Sequence, residues 1–180
     1  MKKESTQIPN SKNRAQISDL FKSDKKRVLF VCLGNICRSP AAQGVLQRMV
    51  DERGLTSSFI IDSAGTGGYH VGELPDRRMR VHASRRGYEL THRARKFTPS
   101  DFDDFDIIIA MDNNNVYDLK EKARSTQDIS KIVPMSEFMS KTCRYDYVPD
   151  PYYEGSEGFE LVLDLLEEAL SNFLDLTTER

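Results

Sequence analysis

The chain has 180 residues, a length that suits one domain able to bury a full hydrophobic core. Its composition is ordinary for a soluble globular protein, and its apolar runs are far too short to cross a bilayer. The formal net charge of −2 excludes the overall basic field that draws proteins to nucleic acid.

Basic charge is concentrated at the N-terminus, where residues 1–27 contain eight Lys or Arg and three acidic residues. This stretch has no apolar core of the kind that secretory signal peptides carry, so secretion is not indicated. We expect residues 1–25 to form a flexible basic tail and residues 26–180 to form one domain. An amphipathic targeting leader is the alternative, although its apolar face is weak.

The first predicted strand and helix enclose a short loop. The apolar residues 28–31 predict a buried strand, and the apolar spacing of residues 42–50 predicts a helix. Ser39 is a good N-cap and Pro40 a good first helical residue. Within the loop, Gly34 and Asn35 are residue types that tolerate a positive φ.

The loop combines a thiol, Cys32, with a guanidinium, Arg38, and five residues separate the two. Backbone N–H groups at a helix N-terminus cradle anions, and the same positive end favours the thiolate form of a cysteine. The planar guanidinium matches two phosphate oxygens. The pattern indicates a nucleophile beside a bound phosphate. The Cys-x5-Arg spacing alone is a weak indication of function. The alternative is a structural turn with a buried cysteine.

Further strand and helix signals alternate along the rest of the chain. Residues 58–62, 105–111 and 129–135 are predicted strands, and residues 76–87, those following Asp112, and those from Glu157 onward are predicted helices. Such alternation predicts a three-layer α/β sandwich, a four-stranded parallel sheet with helices on both faces. Ligands bind such sheets at the carboxyl ends of the strands, where Cys32, Ser63 and Asp112 are expected.

The run VCLGNICRSP at residues 31–40 resembles the active-site loop of the low-molecular-weight protein tyrosine phosphatases. The segments at residues 62–66, 69–72, 75–76, 91–95 and 150–153 are similar to further segments of that family, in the same order. The resemblance extends from residue 26 to residue 175. It implies the family's fold, with the phosphate-binding loop between the first strand and the first helix of the domain.

The resemblance also implies roles. Cys32 would be the nucleophile that becomes a phosphocysteine, Arg38 would bind the phosphate, and Asp150 would be the general acid and then the general base. Pro151 restricts Asp150 to extended conformations that could hold its carboxyl group over the site. The other residues expected in the phosphate-binding loop are Leu33, Gly34, Asn35, Ile36, Cys37 and Ser39.

Supporting positions follow from the same resemblance. Ser63 and His92 would hydrogen-bond Asn35 and lock the loop. Tyr69, Tyr152 and Tyr153 would wall a slot deep enough for a phosphotyrosine ring, which leaves phosphoserine too short to reach the thiolate.

The expected partner is a phosphotyrosine-containing protein substrate, with inhibition by phosphate-like oxyanions. We expect no metal, because the Cys and His spacings fit no metal site. We also expect no cofactor, no nucleic acid and no membrane contact. A monomer in the cytoplasm is expected, since a nucleophilic thiolate needs a reducing compartment. Cys37 is either a partner for a reversible disulfide with Cys32 or a small buried filler.

Three alternatives share the fold. An arsenate reductase would need additional relay cysteines, and only Cys143 remains. A protein-arginine phosphatase would be expected to have threonine in place of Ile36 and to lack the tyrosine pair. A non-catalytic phosphate-binding module would be expected to lack Cys32, Arg38 or Asp150. The arginines of residues 77–86 could attract acidic phosphopeptides or could simply be a solvated helix face.

Overall fold

The computed structural model describes residues 14–178 of the chain. Its strands are β1 (Lys26–Cys32), β2 (Phe59–Gly65), β3 (Ile107–Ala110) and β4 (Ile132–Pro134). Its α-helices are α1 (Arg14–Ser18), α2 (Arg38–Glu52), α3 (Arg77–Arg85), α4 (Asp101–Asp104), α5 (Asn113–Lys122), α6 (Thr126–Lys131) and α7 (Ser156–Thr178).

The four strands form one parallel sheet in the order β2-β1-β3-β4. The register pairs Cys32 with Gly65 at the carboxyl ends of β1 and β2. Strand β1 lies inside the sheet, with β2 on one side and β3 on the other. Its carboxyl end therefore opens into the crevice where the strand order reverses. The predicted α/β sandwich with a four-stranded parallel sheet is confirmed.

Each face of the sheet carries its own hydrophobic core. One core packs α2, α3 and α7 against residues such as Val28 and Phe30 of β1. The other packs α4 and α5 against alternate residues such as Leu29 and Val31. This alternation explains why residues 28–31 form a continuous apolar run, since both faces of β1 are buried. Among the described residues, no helix is both long and apolar enough to traverse a membrane.

The N-terminal segment differs from the expected tail over its described part. Residues 14–18 form a helical turn, and Ile17 is 1% exposed in the core that α7 closes. The ring of Phe21 lies 6.5 Å from that of Phe173 on α7. A flexible tail was therefore the wrong expectation for this part, because its apolar side chains bury against α7. Residues 1–13 of the expected tail lie outside the described residues.

Two local predictions were also wrong. Helix α2 begins at Arg38 rather than Pro40, and Ser39 does not cap it because its hydroxyl contacts Cys32. The first half of the strand predicted over residues 129–135 belongs to α6, which Ser125 caps by accepting a hydrogen bond from the Asp128 N–H. By contrast, the helix predicted after Asp112 is confirmed, and Asp112 forms a capping box with Asn115.

Candidate active site

The loop from Cys32 to Arg38 connects the end of β1 to the start of α2 and is held from behind by the segment after β2. Thr66 and Gly67 donate backbone hydrogen bonds of 2.9 Å to the carbonyls of Cys32 and Leu33. A Cβ atom at Gly65 would lie 2.7 Å from the Leu33 carbonyl oxygen. Glycine at this position therefore lets the two backbones approach closely enough to fix the loop.

Asn35 is the centre of the loop's internal bonding. It has a φ of 56°, in the left-handed region, and its side chain is buried. Its amide nitrogen donates to the hydroxyls of Ser39 (2.8 Å) and Ser63 (2.9 Å). Its carbonyl oxygen accepts from the Arg95 backbone N–H at 3.0 Å and faces His92 Nε2 at 3.0 Å. These bonds offset the cost of a left-handed conformation at a residue other than glycine.

The bonding of Asn35 determines the tautomer of His92. The Asn35 amide nitrogen is the donor to two serines, so its oxygen must be the acceptor and His92 Nε2 must carry a proton. Burial, with help from the charge of Arg95, lowers the pKa of His92 against the opposing effect of Asp62. His92 is thus a neutral hydrogen-bond donor that ties residues 91–95 to the loop.

The sulfur of Cys32 lies at the floor of the loop, 3.0 Å from the Ser39 hydroxyl oxygen. This oxygen accepts from Asn35, and its one hydrogen has two acceptors within reach, the Cys32 sulfur at 3.0 Å and the Ala64 carbonyl at a longer 3.4 Å. A hydrogen bond to the sulfur stabilises a thiolate, both when it attacks and when it leaves. Cys37, in the same loop, is buried, and its burial raises the pKa of its thiol well above the ordinary value. Cys37 is accordingly a neutral thiol in this structure.

Arg38 is 3% exposed, and the groups that hold it lie at the carboxyl end of β3. Its Nη1 donates to Asp112 Oδ2 at 2.5 Å and to the Val148 carbonyl at 3.0 Å, and its Nη2 lies 3.6 Å from Asp150 Oδ2. Burial acts to lower the pKa of Arg38, but the charges of Cys32, Asp112 and Asp150 outweigh it and raise that pKa. The guanidinium is therefore permanently charged and fixed in orientation.

A cavity of about 350 Å³ opens above the loop. Tyr69 and His70 line one part of it, and Asp150, Tyr152 and Tyr153 line another. The Tyr152 and Tyr153 rings meet edge to face at 4.9 Å, and Tyr153 is 93% exposed at the rim. The structure thus brings all three predicted tyrosines to one cleft with the loop and Asp150.

Asp150 lies on the loop that precedes α7. Its side chain is 44% exposed, and its Oδ1 accepts the Tyr152 N–H at 3.1 Å. This bond turns the other carboxyl oxygen toward Arg38 and the cavity. A half-exposed carboxyl group over an anion site can exchange protons with both a bound ester and solvent.

Two residues at the site were missed by the sequence analysis. Asp112 was expected at the ligand-binding edge of the sheet, but its ion pair with Arg38 was not predicted. His70 was not singled out, yet it lines the cavity, with its Nδ1 2.8 Å from Glu73 Oε2 and its ring 6.4 Å from that of Tyr152. Their positions in the sequence could have indicated both residues, because Asp112 follows a buried strand and His70 follows Tyr69 directly.

Within residues 14–178, no three His, Cys, Asp or Glu side chains are grouped in a way that could hold a metal ion. The polar groups that line the cavity are those of the loop, Arg38, Asp150, His70 and the tyrosine hydroxyls. This arrangement suits binding of a phosphate group by protein donors, with a thiol below it and a carboxyl group above it.

Comparison with known proteins agrees with this geometry. A family model described as low molecular weight phosphotyrosine protein phosphatase matches residues 27–180. The low molecular weight phosphotyrosine protein phosphatase of Schizosaccharomyces pombe is 42% identical over 149 residues, which cover 82% of this chain and 94% of that protein.

Solved structures give the same result. A protein tyrosine phosphatase from Entamoeba histolytica, with Hepes in its active site, is 45% identical with a TM-score of 0.80, covering 83% of this chain and 95% of that one. An arginine phosphatase from Drosophila is 32% identical with a TM-score of 0.79, covering 84% and 98%. This chain belongs to the low molecular weight phosphotyrosine protein phosphatase family.

Proposed function

We propose that Cys32, Arg38 and Asp150 carry out the family's phosphatase reaction in this chain. The Cys32 thiolate attacks phosphorus while Asp150 gives its proton to the departing phenolic oxygen, so the P–O bond breaks as the S–P bond forms. Asp150, now a carboxylate, then takes a proton from water as the water oxygen attacks phosphorus. Inorganic phosphate leaves, and the thiolate is restored.

The orientation of Arg38 is the observation that carries this proposal. Asp112 and the Val148 carbonyl both bind Nη1, so these two contacts leave the Nε and Nη2 donors of Arg38 for a bound phosphate. Donors aimed in advance at the equatorial oxygens stabilise the charge of a phosphoryl transition state without reorganisation. Asp150 lies 3.6 Å from the same guanidinium, within reach of the leaving oxygen of a bound ester.

The substrate that fits the cleft best is a phosphotyrosine-containing protein. Cys32 is 3% exposed at the bottom of the cavity, whereas Tyr69 and Tyr153 stand at its exposed rim. A phenyl ring spans this depth and packs against the aromatic walls. The shorter side chain of phosphoserine leaves its phosphate away from the thiolate.

A protein-arginine phosphatase is the second candidate, because a structure named as an arginine phosphatase is 32% identical to this chain. Against it, Ile36 occupies the loop position where that activity is expected to need threonine, and the tyrosine pair is present. Comparing kcat/KM for phosphotyrosine and phosphoarginine in otherwise identical peptides separates the two. We expect a strong preference for phosphotyrosine, and a preference for phosphoarginine would reverse the assignment.

The test of the mechanism is mass spectrometry of protein that has been acid-quenched during turnover of an aryl phosphate. Wild type should carry a phosphate adduct on Cys32. Cys32→Ser should have no turnover and no adduct but should still bind vanadate, because Arg38 and the loop amides remain. The matched control, Cys37→Ser, should keep both turnover and the adduct. Appreciable turnover by Cys32→Ser would overturn the assignment of the nucleophile.

Three further proposals concern inhibitors, the cellular compartment and the oligomeric state. Phosphate and related oxyanions should compete with substrate for the loop. A nucleophilic thiolate needs a reducing compartment, which favours the cytoplasm. We also propose that residues 26–180 function as one monomeric domain, against which the segment of Ile17 and Phe21 packs.

A further inference from the structure

Five arginines, four on α3 and Arg86 directly after it, fall into two groups. Arg78 pairs with Asp76 at 2.9 Å, and Arg86 pairs with carboxylates of α7, including Asp164 at 2.8 Å. These two arginines face the loop of Tyr152 and helix α7, respectively. Their charges are neutralised within the fold and explain how α3 is fastened to its neighbours.

The other three arginines, Arg77, Arg80 and Arg85, have no described carboxylate within ion-pair distance. Arg77 and Arg85 are exposed, and Arg80 donates through Nε to the Pro75 carbonyl at 2.9 Å. All three line an open groove of about 510 Å³, which we call the α3 groove. Its surface also includes the apolar groups of Val81 and Tyr88, and Glu89 contributes one negative charge. The excess positive charge of the α3 groove is therefore not used by the fold.

Helix stability accounts for only part of this charge: Arg85 lies in the last turn of α3, where a cation is favoured, whereas Arg77 and Arg80 lie in the first turn. The first turn of α3 contains Arg77, Arg78 and Arg80 and no acidic residue. The N-terminal end of a helix carries partial positive charge and favours acidic side chains, so cations there are locally unfavourable. An anion bound in the groove would relieve this repulsion.

The α3 groove begins beside the active site. The Asp76 N–H, immediately before α3, donates to the Ile36 carbonyl of the phosphate-binding loop at 2.7 Å. The Arg78 guanidinium reaches the Tyr152 carbonyl at the cleft wall, 2.9 Å away. A polypeptide whose phosphotyrosine occupies the cleft thus passes near the start of the groove.

We propose that the α3 groove binds an acidic segment of the phosphoprotein substrate, next in sequence to its phosphotyrosine. This proposal rests on the proposed function and adds a class of substrate to it. Arg77, Arg80 and Arg85 contact carboxylates of the segment, and Val81 and Tyr88 pack against an apolar side chain between them. Charge complementarity and the apolar floor together favour an acidic peptide over a small anion.

The spacing of the arginines defines the segment further. Arg77 and Arg85 are eight residues apart, about 12 Å along a helix. An extended peptide covers about 12 Å in about four residues. A segment with two acidic clusters about four residues apart can therefore reach both ends of the groove. Contacts between exposed charges are individually weak and screened by salt, so the gain should be several-fold and largest at low ionic strength.

The experiment compares phosphotyrosine peptides that carry glutamates or glutamines on either flank. Wild type is compared with the double variant Arg77→Glu/Arg85→Glu, which alters exposed residues without a partner that the fold requires. The matched control is Lys120→Glu/Lys122→Glu on α5, which makes the same change of charge on the opposite face of the sheet. Measurements are kcat/KM for each peptide and for an aryl phosphate, and anisotropy of peptides bound to each protein in a Cys32→Ser background.

We expect wild type and the α5 control to favour the acidic peptide by about three- to tenfold in both kcat/KM and binding at low salt. The Arg77→Glu/Arg85→Glu variant should lose this preference and keep its activity on the aryl phosphate, which is too short to reach the groove. Loss of the preference in the α5 control as well would overturn the proposal in favour of a general charge effect.

Equal values for acidic and neutral peptides in wild type would also overturn the proposal. So would binding to phosphatidylserine vesicles that depends on Arg77 and Arg85 without any discrimination between peptides, since it would assign the groove to a membrane surface. Failure of the proposed function is distinguishable, because wild type would then not turn over the aryl phosphate, whereas peptide binding still reports on the groove.

Discussion

Arg38 and Asp112 form the tightest polar contact described at the site, with 2.5 Å between Nη1 and Oδ2. Asp150 approaches the same guanidinium only to 3.6 Å and is twice as exposed, at 44% against 21%. The two carboxylates therefore have separate tasks around one arginine. Asp112 orients the guanidinium, whereas Asp150 stays free to exchange a proton.

This division predicts different effects for two matched substitutions. Asp150→Asn should lower kcat for a substrate with a poor leaving group by about two to four orders of magnitude, because the proton donor is lost. It should also remove the limb of the pH–rate profile that reports the acid. Asp112→Asn should raise KM and lower kcat/KM by about tenfold or more while that limb remains, because a charge-assisted bond to Arg38 is weakened.

The check is the pH dependence of kcat and KM for both variants, with vanadate affinity as a measure of the anion site. If Asp112→Asn lost the limb that reports the general acid and Asp150→Asn kept it, the two roles would be exchanged.

The second prediction concerns Asn35 and its left-handed backbone. Asn35→Ala should lower the free energy of unfolding by about 2–4 kcal/mol, because two buried serine hydroxyls and two partly buried N–H groups lose a hydrogen-bond partner. Asn35→Gly loses the same bonds but adopts a φ of 56° without steric cost, so it should be more stable than the alanine variant by about 1 kcal/mol. Both variants should lose activity, since Ser39 is no longer positioned against Cys32. Chemical denaturation of the three proteins gives the comparison.

Equal stability of the alanine and glycine variants would mean that the backbone conformation at Asn35 stores no strain. Wild-type activity in either variant would mean that the loop keeps its shape without the amide.

The third prediction follows from the lowered pKa of His92, which burial and Arg95 produce. The unfolded chain binds a proton at this histidine with the ordinary pKa of about 6.5, whereas the folded chain binds it only at lower pH. Below about pH 6.5 the unfolded state therefore holds more protons, so the stability that neutral His92 contributes is lost as pH falls toward the folded pKa. Above that range the contribution is constant.

His92→Gln is the matched variant, because a glutamine amide can still donate to Asn35 and does not titrate. The fall in the free energy of unfolding between about pH 7.5 and about pH 5 should be smaller in this variant than in wild type. An identical fall in both proteins would assign the pH dependence to other groups.

Much of the fold and the core of the site follow from local features of the sequence. Residues 28–39 place a strand, a loop and a helix in direct succession, so Cys32, Asn35 and Arg38 come together through covalent connection alone. The alternation of strand and helix patterns determined the parallel sheet and therefore the edge at which ligands bind. The remaining segments, including Asp150, could be assigned only through their resemblance to a family.

The tertiary structure decided which distant groups meet at that edge. Arg38 and Asp112 are 74 residues apart, and Arg38 and the Val148 carbonyl 110 apart. Periodicity identifies each strand but does not order the strands, and only the order β2-β1-β3-β4 brings the end of β3 beside the loop. The same reason explains the burial of Ile17 against α7, since a short apolar pattern has no defined partner until the core has formed. Sequence thus specifies the local geometry, and long-range packing selects its partners.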